Sequence, residues 1–169
     1  MTLSSDLRLI DAATARIRAH TLGYESVTFT VQGRPLPWQR PRTFVDDASG
    51  LARTIKGKGH VKRLSPIAEA AQIAMLASRL QPAAPGTLVL LTLDFQFMLP
   101  KDASTRKHGD LHTARPDLDN LSKLVLEALT GVAYADDSQV AQLVATKAWG
   151  PSDITTVVIE FGPATGGAR

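Results

Sequence analysis

The sequence predicts one α/β (α+β) domain, a small mixed β-sheet packed by helices. Three observations predict it. The chain has 169 residues, 44% hydrophobic and 21% charged, which suits one domain with a sizeable core. Thr87 to Met98 carries Val89, Leu91, Leu93, Phe95 and Phe97 at a period of two, the mark of a strand with one face in a core. Strand patterns alternate with helical ones instead of clustering at one end, which favours a mixed sheet covered by helices. No internal repeat divides the chain. Residues 1–22 are expected to form a helical extension and residues 23–165 the principal domain.

The elements follow in order. Ser5 to His20 reads as a helix capped by Ser5 or Asp6, with Leu7, Ile10, Ala13 and Ile17 near the helical repeat. Its apolar stripe is thin, so an appendage is expected. Tyr24 to Gln32 is a strand, with Val27, Phe29 and Val31 on one face and Gly33 ending it. From Gly33 to Arg63, Pro35, Pro37, Pro41 and four glycines interrupt regular structure, and Arg42 to Val45 is at most a short strand. Ser65 to Leu80 reads as a helix with Ser65 as N-cap, Pro66 at the first helical position and Glu69 near the positive end of the dipole. After the strand at Thr87–Met98 comes a polar loop from Pro100 to Arg115. Leu118 to Thr130 is a helix with Leu118, Leu121, Val125 and Leu129 inward and Gly131 as its stop. Val140 to Trp149 and Ile154 to Phe161 are strands expected to close a final hairpin through Gly150-Pro151-Ser152-Asp153.

Composition removes several classes of function. There is no cysteine, which excludes disulfides, thiolate zinc sites and cysteine nucleophiles. No apolar run approaches the ~20 residues that span a bilayer. The first residues lack a basic and then apolar leader, so a cytoplasmic location is expected. Net charge is +3 and the pI about 9.4, a modest lean toward an acidic partner.

Against that basic background, four carboxylates and a lysine crowd into Asp117-Leu118-Asp119-Asn120-Leu121-Ser122-Lys123 and Asp136-Asp137. Asp117 is placed to cap the helix that follows, Asp119 lies in its first turn, and Lys123 sits four residues later on the same side. A helix start and a strand entry can meet in space, and carboxylates that meet repel unless a proton, a basic group or a metal offsets them. Mg²⁺ suits such hard oxygen donors and keeps waters. A water so held can attack phosphorus while Lys123 supplies positive charge to the transition state. Each piece also has a plainer reading. Asp117 could be only a cap, Asp119 and Lys123 only a surface pair worth ~0.3–0.5 kcal/mol, and Asp136-Asp137-Ser138 only a turn. Jointly, those readings leave Asn120, Lys123 and the second acidic pair as coincidence.

The ordered block Arg115-Pro116-Asp117-Leu118-Asp119-Asn120-Leu121-Ser122-Lys123, Glu127-Ala128-Leu129-Thr130-Gly131 and Tyr134-Ala135-Asp136-Asp137-Ser138-Gln139-Val140 resembles the signature of RusA-type Holliday-junction resolvases. Gly33-Arg34-Pro35 and Gln39-Arg40-Pro41-Arg42 resemble the family's N-terminal segment. The resemblance implies a magnesium-dependent, homodimeric endonuclease that places paired nicks in four-way DNA junctions during recombination and repair. By that resemblance Asp117, Asp119 and Asp137 match metal-binding catalytic carboxylates, Lys123 an essential lysine, Asp136 a neighbouring metal-site acid, and Lys147 a basic position on the following strand. The leading helix and the Asp47–His60 stretch depart from compact members and leave the dimer contacts and the DNA path open.

The segment Gly33–Arg63 supplies a DNA-binding set, Arg34, Arg40, Arg42, Lys56, Lys58, Lys62 and Arg63, with only Asp46 and Asp47 among them. Arg115 and Lys147 join it. Such residues give affinity through phosphates more than base choice. Trp38 reads as a core residue more than a wedge in DNA, Trp149 as core, and His108 with His112 as loop residues near DNA rather than a zinc pair. Two other functions stay open: a magnesium nuclease for other branched DNA, and a junction-binding protein that does not cut.

Overall fold

A computed structural model describes residues 23–39, 42–46, 49–55, 60–101 and 105–164. In chain order its elements are β1 (Glu25–Gln32), β2 (Arg42–Val45), β3 (Ala52–Ile55), α1 (His60–Ala77), β4 (Thr87–Met98), α2 (Leu118–Leu129), a 3₁₀ turn (Asp137–Gln139), β5 (Val140–Gly150) and β6 (Ile154–Ala164). The helix expected over Ser5–His20 lies outside the described residues.

The main sheet has the order β1-β6-β4-β5, and β2 pairs with β3 in a separate hairpin. β4 runs antiparallel to β6 and parallel to β5, so the sheet is mixed, as the interleaved patterns predicted. The parallel pair follows from the route of the chain: β4, a loop, α2 and then β5 make one crossover unit, and a parallel neighbour needs such a crossover. The expected hairpin between β5 and β6 is not formed, because β4 lies between them. Two strand spacings are ~9–10 Å, a gap that Pro151-Ser152-Asp153 can bridge. Its tie to the end of β4 is direct, since Met98 N–H donates to Asp153 Oδ1 at 2.8 Å. β6 takes the inner place with both faces buried: Val157 and Ile159 on one, and Val158 with the acidic Glu160 on the other.

β4 performs as its alternation predicted. Val89, Leu91, Leu93, Phe95 and Phe97 are all buried and face the two helices, together with Val27, Phe29, Val157 and Ile159. From α2 come Leu121, Leu124, Val125, Ala128 and Leu129. A fully buried leucine or valine is worth about 1.5–3 kcal/mol, whereas an exposed ion pair is worth about 0–1 kcal/mol. α2 is therefore held by its inner face, and its outer face is free to carry chemistry.

Two sequence expectations need correction. α1 begins at His60, not at Ser65, so Pro66 lies inside the helix rather than at its first position. An interior proline costs roughly 3 kcal/mol. Here the turn ahead of it is held by tertiary contacts, with Leu64 against the core and Arg63 Nη1 donating to the Pro37 carbonyl at 3.1 Å. The second correction is β3, absent from the sequence reading, because Ala52-Arg53-Thr54-Ile55 is too short to show a period.

Candidate active site

α2 and the segments at its two ends assemble the acidic block. Asp117 is the N-cap residue with an extended backbone, yet its side chain makes no capping hydrogen bond. Asp119 follows in the first turn. Both are exposed, and neither carboxylate is engaged among the described residues. The cap that sequence reasoning assigned to the Asp117 carboxylate is thus not made, which leaves that carboxylate uncommitted at the positive end of a helix dipole.

At the far end of α2 the chain turns through Gly131, which adopts a positive φ of 78°, a geometry glycine takes without Cβ strain. Tyr134 is fully buried and its hydroxyl donates to the Leu126 carbonyl at 3.1 Å, pinning the return. Burial, helped by the charge of Asp137, pushes that phenol well above its ordinary range. Asp136 then caps the 3₁₀ turn: its Oδ1 accepts from Ser138 N–H at 2.9 Å, and Gln139 answers from the other side of a capping box. The Ser138 hydrogen bonds hold the Asp136 carboxyl below the usual carboxylate range. Asp137 is left to face α2.

What joins the two segments is Lys123. Its ammonium donates to Asp137 Oδ2 at 2.9 Å and lies 3.6 Å from Glu127 Oε1, four residues along the helix. The Asp137 hydrogen bond is the chief cause that raises the ammonium above the usual lysine range, against the opposing effect of burial. Among the described residues no group of three or more Asp, Glu or His side chains stands together as a metal site. The sequence predicts three or four carboxylates in one pocket; among the described residues they do not stand together as a metal-binding group, and Asp137 is paired with Lys123 instead. In kind, the donors fit a hard divalent cation: all are carboxylate oxygens, two make no bond among the described residues, and a third is neutralised by the Lys123 ammonium.

The basic residues divide. Arg34 and Arg115 are exposed and line a cleft of about 560 Å³ with Pro35, Leu36, Pro37, Trp38, Pro116, Asp117 and Asn120. Trp38 packs against the core, and its main-chain N–H donates to the Asn120 carbonyl at 2.8 Å, seating the proline-rich segment on the start of α2. Lys62 is exposed on α1. Arg63 is engaged with Pro37, and Lys147 Nζ donates to the carbonyls of Ala114 at 2.6 Å and Pro116 at 2.7 Å. Arg40, Lys56 and Lys58 lie outside the described residues, as does the side chain of Arg42.

Sequence reasoning missed the way the loop ahead of Asp117 is fixed. Gly109 N–H donates to the Trp149 carbonyl at 2.8 Å, Trp149 N–H to the Asp110 carbonyl at 2.9 Å, and His112 N–H to the Lys147 carbonyl at 2.9 Å. The loop thus lines the outer edge of β5 like a short extra strand. His112, expected to be a loop residue near DNA, is buried, its ring 4.5 Å from Phe97 and 4.1 Å from Trp149. Arg34 and Arg106 lie over the outer rings of that stack, at 5.8 Å and 5.3 Å. The available signal was the period-two match of Phe97 on β4 with Trp149 on β5.

Burial is the main cause that lowers the His112 pKa; Lys147 and Arg34 add to it, against main-chain hydrogen bonds at 112 and 114. Its Nδ1 is buried without a partner. The unfolded chain takes up a proton near pH 6.5, whereas the folded chain does so only at lower pH. Stability is therefore lost as pH falls below about 6.5. The thermal midpoint should drop between roughly pH 7 and 5, and His112→Phe, which keeps the stack without the proton, should flatten that slope. Equal slopes in the two proteins, measured by scanning fluorimetry, would remove His112 as the cause.

The family model described as endodeoxyribonuclease RusA matches residues 33–160, well over half of the chain and all of the acidic block. A Bacillus subtilis (strain 168) protein, YqaN, described as uncharacterized, is 30% identical over 144 residues, covering 80% of this chain and 96% of its own length. No helix among the described residues is long and apolar enough to cross a membrane.

Proposed function

The chain belongs to the RusA endodeoxyribonuclease family, and from that premise we propose that it is a magnesium-dependent endonuclease that resolves four-way DNA junctions, acting as a homodimer. The observation that supports the reading is one helix that carries Asp117 and Asp119 at its start, neither engaged among the described residues, with Lys123 paired to Asp137 one turn on and Asp117 lining a cleft with Arg34 and Arg115. Asp117, Asp119 and Asp137 would hold the ion, with Asp136 in support through its second oxygen. A divalent ion held there supplies an activated water and stabilises charge on phosphorus. Were Asp137 to help hold an ion, Lys123 would lose its present partner, and its ammonium could then donate to a phosphate. Arg34 and Arg115 meet the phosphates on either side of it, with Lys62 farther out. Arg63 and Lys147, both engaged with main-chain carbonyls, leave the DNA-contacting set. A four-way junction is close to two-fold symmetric, so two copies would present two equivalent sites to two strands.

The deciding experiment incubates the purified protein with a labelled four-way junction, a replication fork and a linear duplex, each with Mg²⁺ or EDTA. Paired nicks in the junction with Mg²⁺, and none with EDTA, are expected. Equal cutting of fork or duplex would replace the junction by other DNA as the substrate. Tight junction binding without product in any divalent metal would make the protein a binder and overturn the catalytic reading.

A further inference from the structure

The residues that present Asp117 have no regular structure of their own. Thr113 to Pro116 lie between the edge of β5 and the first turn of α2, and Asp117 contributes no capping bond to hold itself. A carboxylate that serves a metal must nevertheless be fixed to within a fraction of an ångström. The β4–β5 register shows how. It sets Lys147 beside Phe95, on the face that bears the helices. From there the ammonium reaches the loop and donates to the Ala114 carbonyl at 2.6 Å and the Pro116 carbonyl at 2.7 Å. These carbonyls bracket Arg115, and the second belongs to the residue next to Asp117. One side chain, on a strand of the central sheet, thereby holds both ends of the turn that displays a guanidinium and a carboxylate.

We infer that Lys147 is a positioning residue: its ammonium locks the 114–116 turn so that Asp117 and Arg115 stand at the reacting phosphate, and it makes no contact with DNA. The assignment rests on the nuclease reading above and deepens it. A lysine that reached a phosphate would have to let go of two charge-assisted hydrogen bonds. The same chemistry explains why the residue is cationic although its partners are neutral. An ammonium can bond two converging carbonyl oxygens at once, and methionine, of similar length, can bond neither.

The test compares the wild type with Lys147→Met in three measurements. Single-turnover cutting of a four-way junction in Mg²⁺ should fall about 10- to 100-fold, the range for residues that orient a metal's ligands. Junction affinity without cutting, in Ca²⁺, should stay within about twofold, and the slope of log affinity against log salt should not change, because no phosphate contact is lost. Mn²⁺ affinity, read by electron paramagnetic resonance without DNA, should weaken by about tenfold. Weaker junction binding with a salt slope reduced by about one would assign Lys147 to docking and overturn the inference. Unchanged rate and unchanged Mn²⁺ affinity would overturn it as well. If Lys147→Met does not fold, Lys147→Gln, which keeps one amide donor, is read by the same criteria. If the wild type cuts no branched DNA, the nuclease reading fails, and the Mn²⁺ titration alone still decides whether Lys147 sets the carboxylate.

Discussion

Replacing Asp119 by Asn is expected to abolish cutting of a four-way junction while the junction stays bound as tightly as before, or more tightly. The substitution keeps shape and removes one negative charge. Asp119 is exposed in the first turn of α2 and engages no neighbour among the described residues, so the fold loses little. The favourable placement of an acid at a helix N-terminus is worth about 0.3–1 kcal/mol. Removal of a ligand charge from a divalent site should slow the chemical step by roughly a thousandfold or more, about 4 kcal/mol of barrier. The chemical loss thus far exceeds the folding loss, and the two can be separated. Binding is unharmed because the cleft keeps Arg34 and Arg115, and one fewer carboxylate repels the phosphates less. Single-turnover cutting and electrophoretic mobility shift, on a variant whose melting matches the wild type, check this. Joint loss of binding and cutting would place Asp119 in docking, and unaltered cutting would remove it from the site.

Much of this arrangement was legible in the sequence, for identifiable reasons. β4 and α2 carry long, clean periods, and both formed within a residue or two of expectation. The acidic block was legible because its parts recur in a fixed order, and the fold does bring Lys123 to Asp137 across 14 positions of chain. What was not legible depends on neighbours distant in sequence. Nothing in Val140–Phe161 alone reveals that β4 lies between its two strands. Nothing in Asp117 reveals that its oxygens would leave the helix end unbonded. The main-chain partners of Arg63 and Lys147 were hidden for the same reason. A basic side chain in a basic protein looks like a phosphate contact until a carbonyl is found beside its nitrogen.

Lys123→Ala is the second variant expected to lose most of its activity, and it separates two roles that one ion pair combines. In the structure the Lys123 ammonium neutralises Asp137. If that were its whole purpose, the bond would add only about 0–1 kcal/mol to the fold, since both side chains are substantially exposed. Under the proposed mechanism the same ammonium, one turn of helix from Asp119, would be freed once Asp137 helped to hold a cation and would meet charge developing on a phosphate. Loss of a single such donor costs about 10²- to 10³-fold in rate, so cutting by Lys123→Ala should fall in that range. If lysine and the ion compete for Asp137, as the proposed mechanism requires, Mn²⁺ should bind the variant more tightly than the wild type even as the rate falls. Protonation does not confuse the result. The folded pKa is raised, so whatever stability the pair gives is fully present below the unfolded value of about 10.5 and is lost only as pH rises through the folded one. Lys123 is therefore cationic across the neutral range, and the deficit of the variant should be the same at pH 7 and pH 8.5. A fall in cutting matched by an equal fall in junction affinity would assign the lysine to docking, whereas weaker Mn²⁺ binding would show that it supports the ion instead of yielding Asp137 to it.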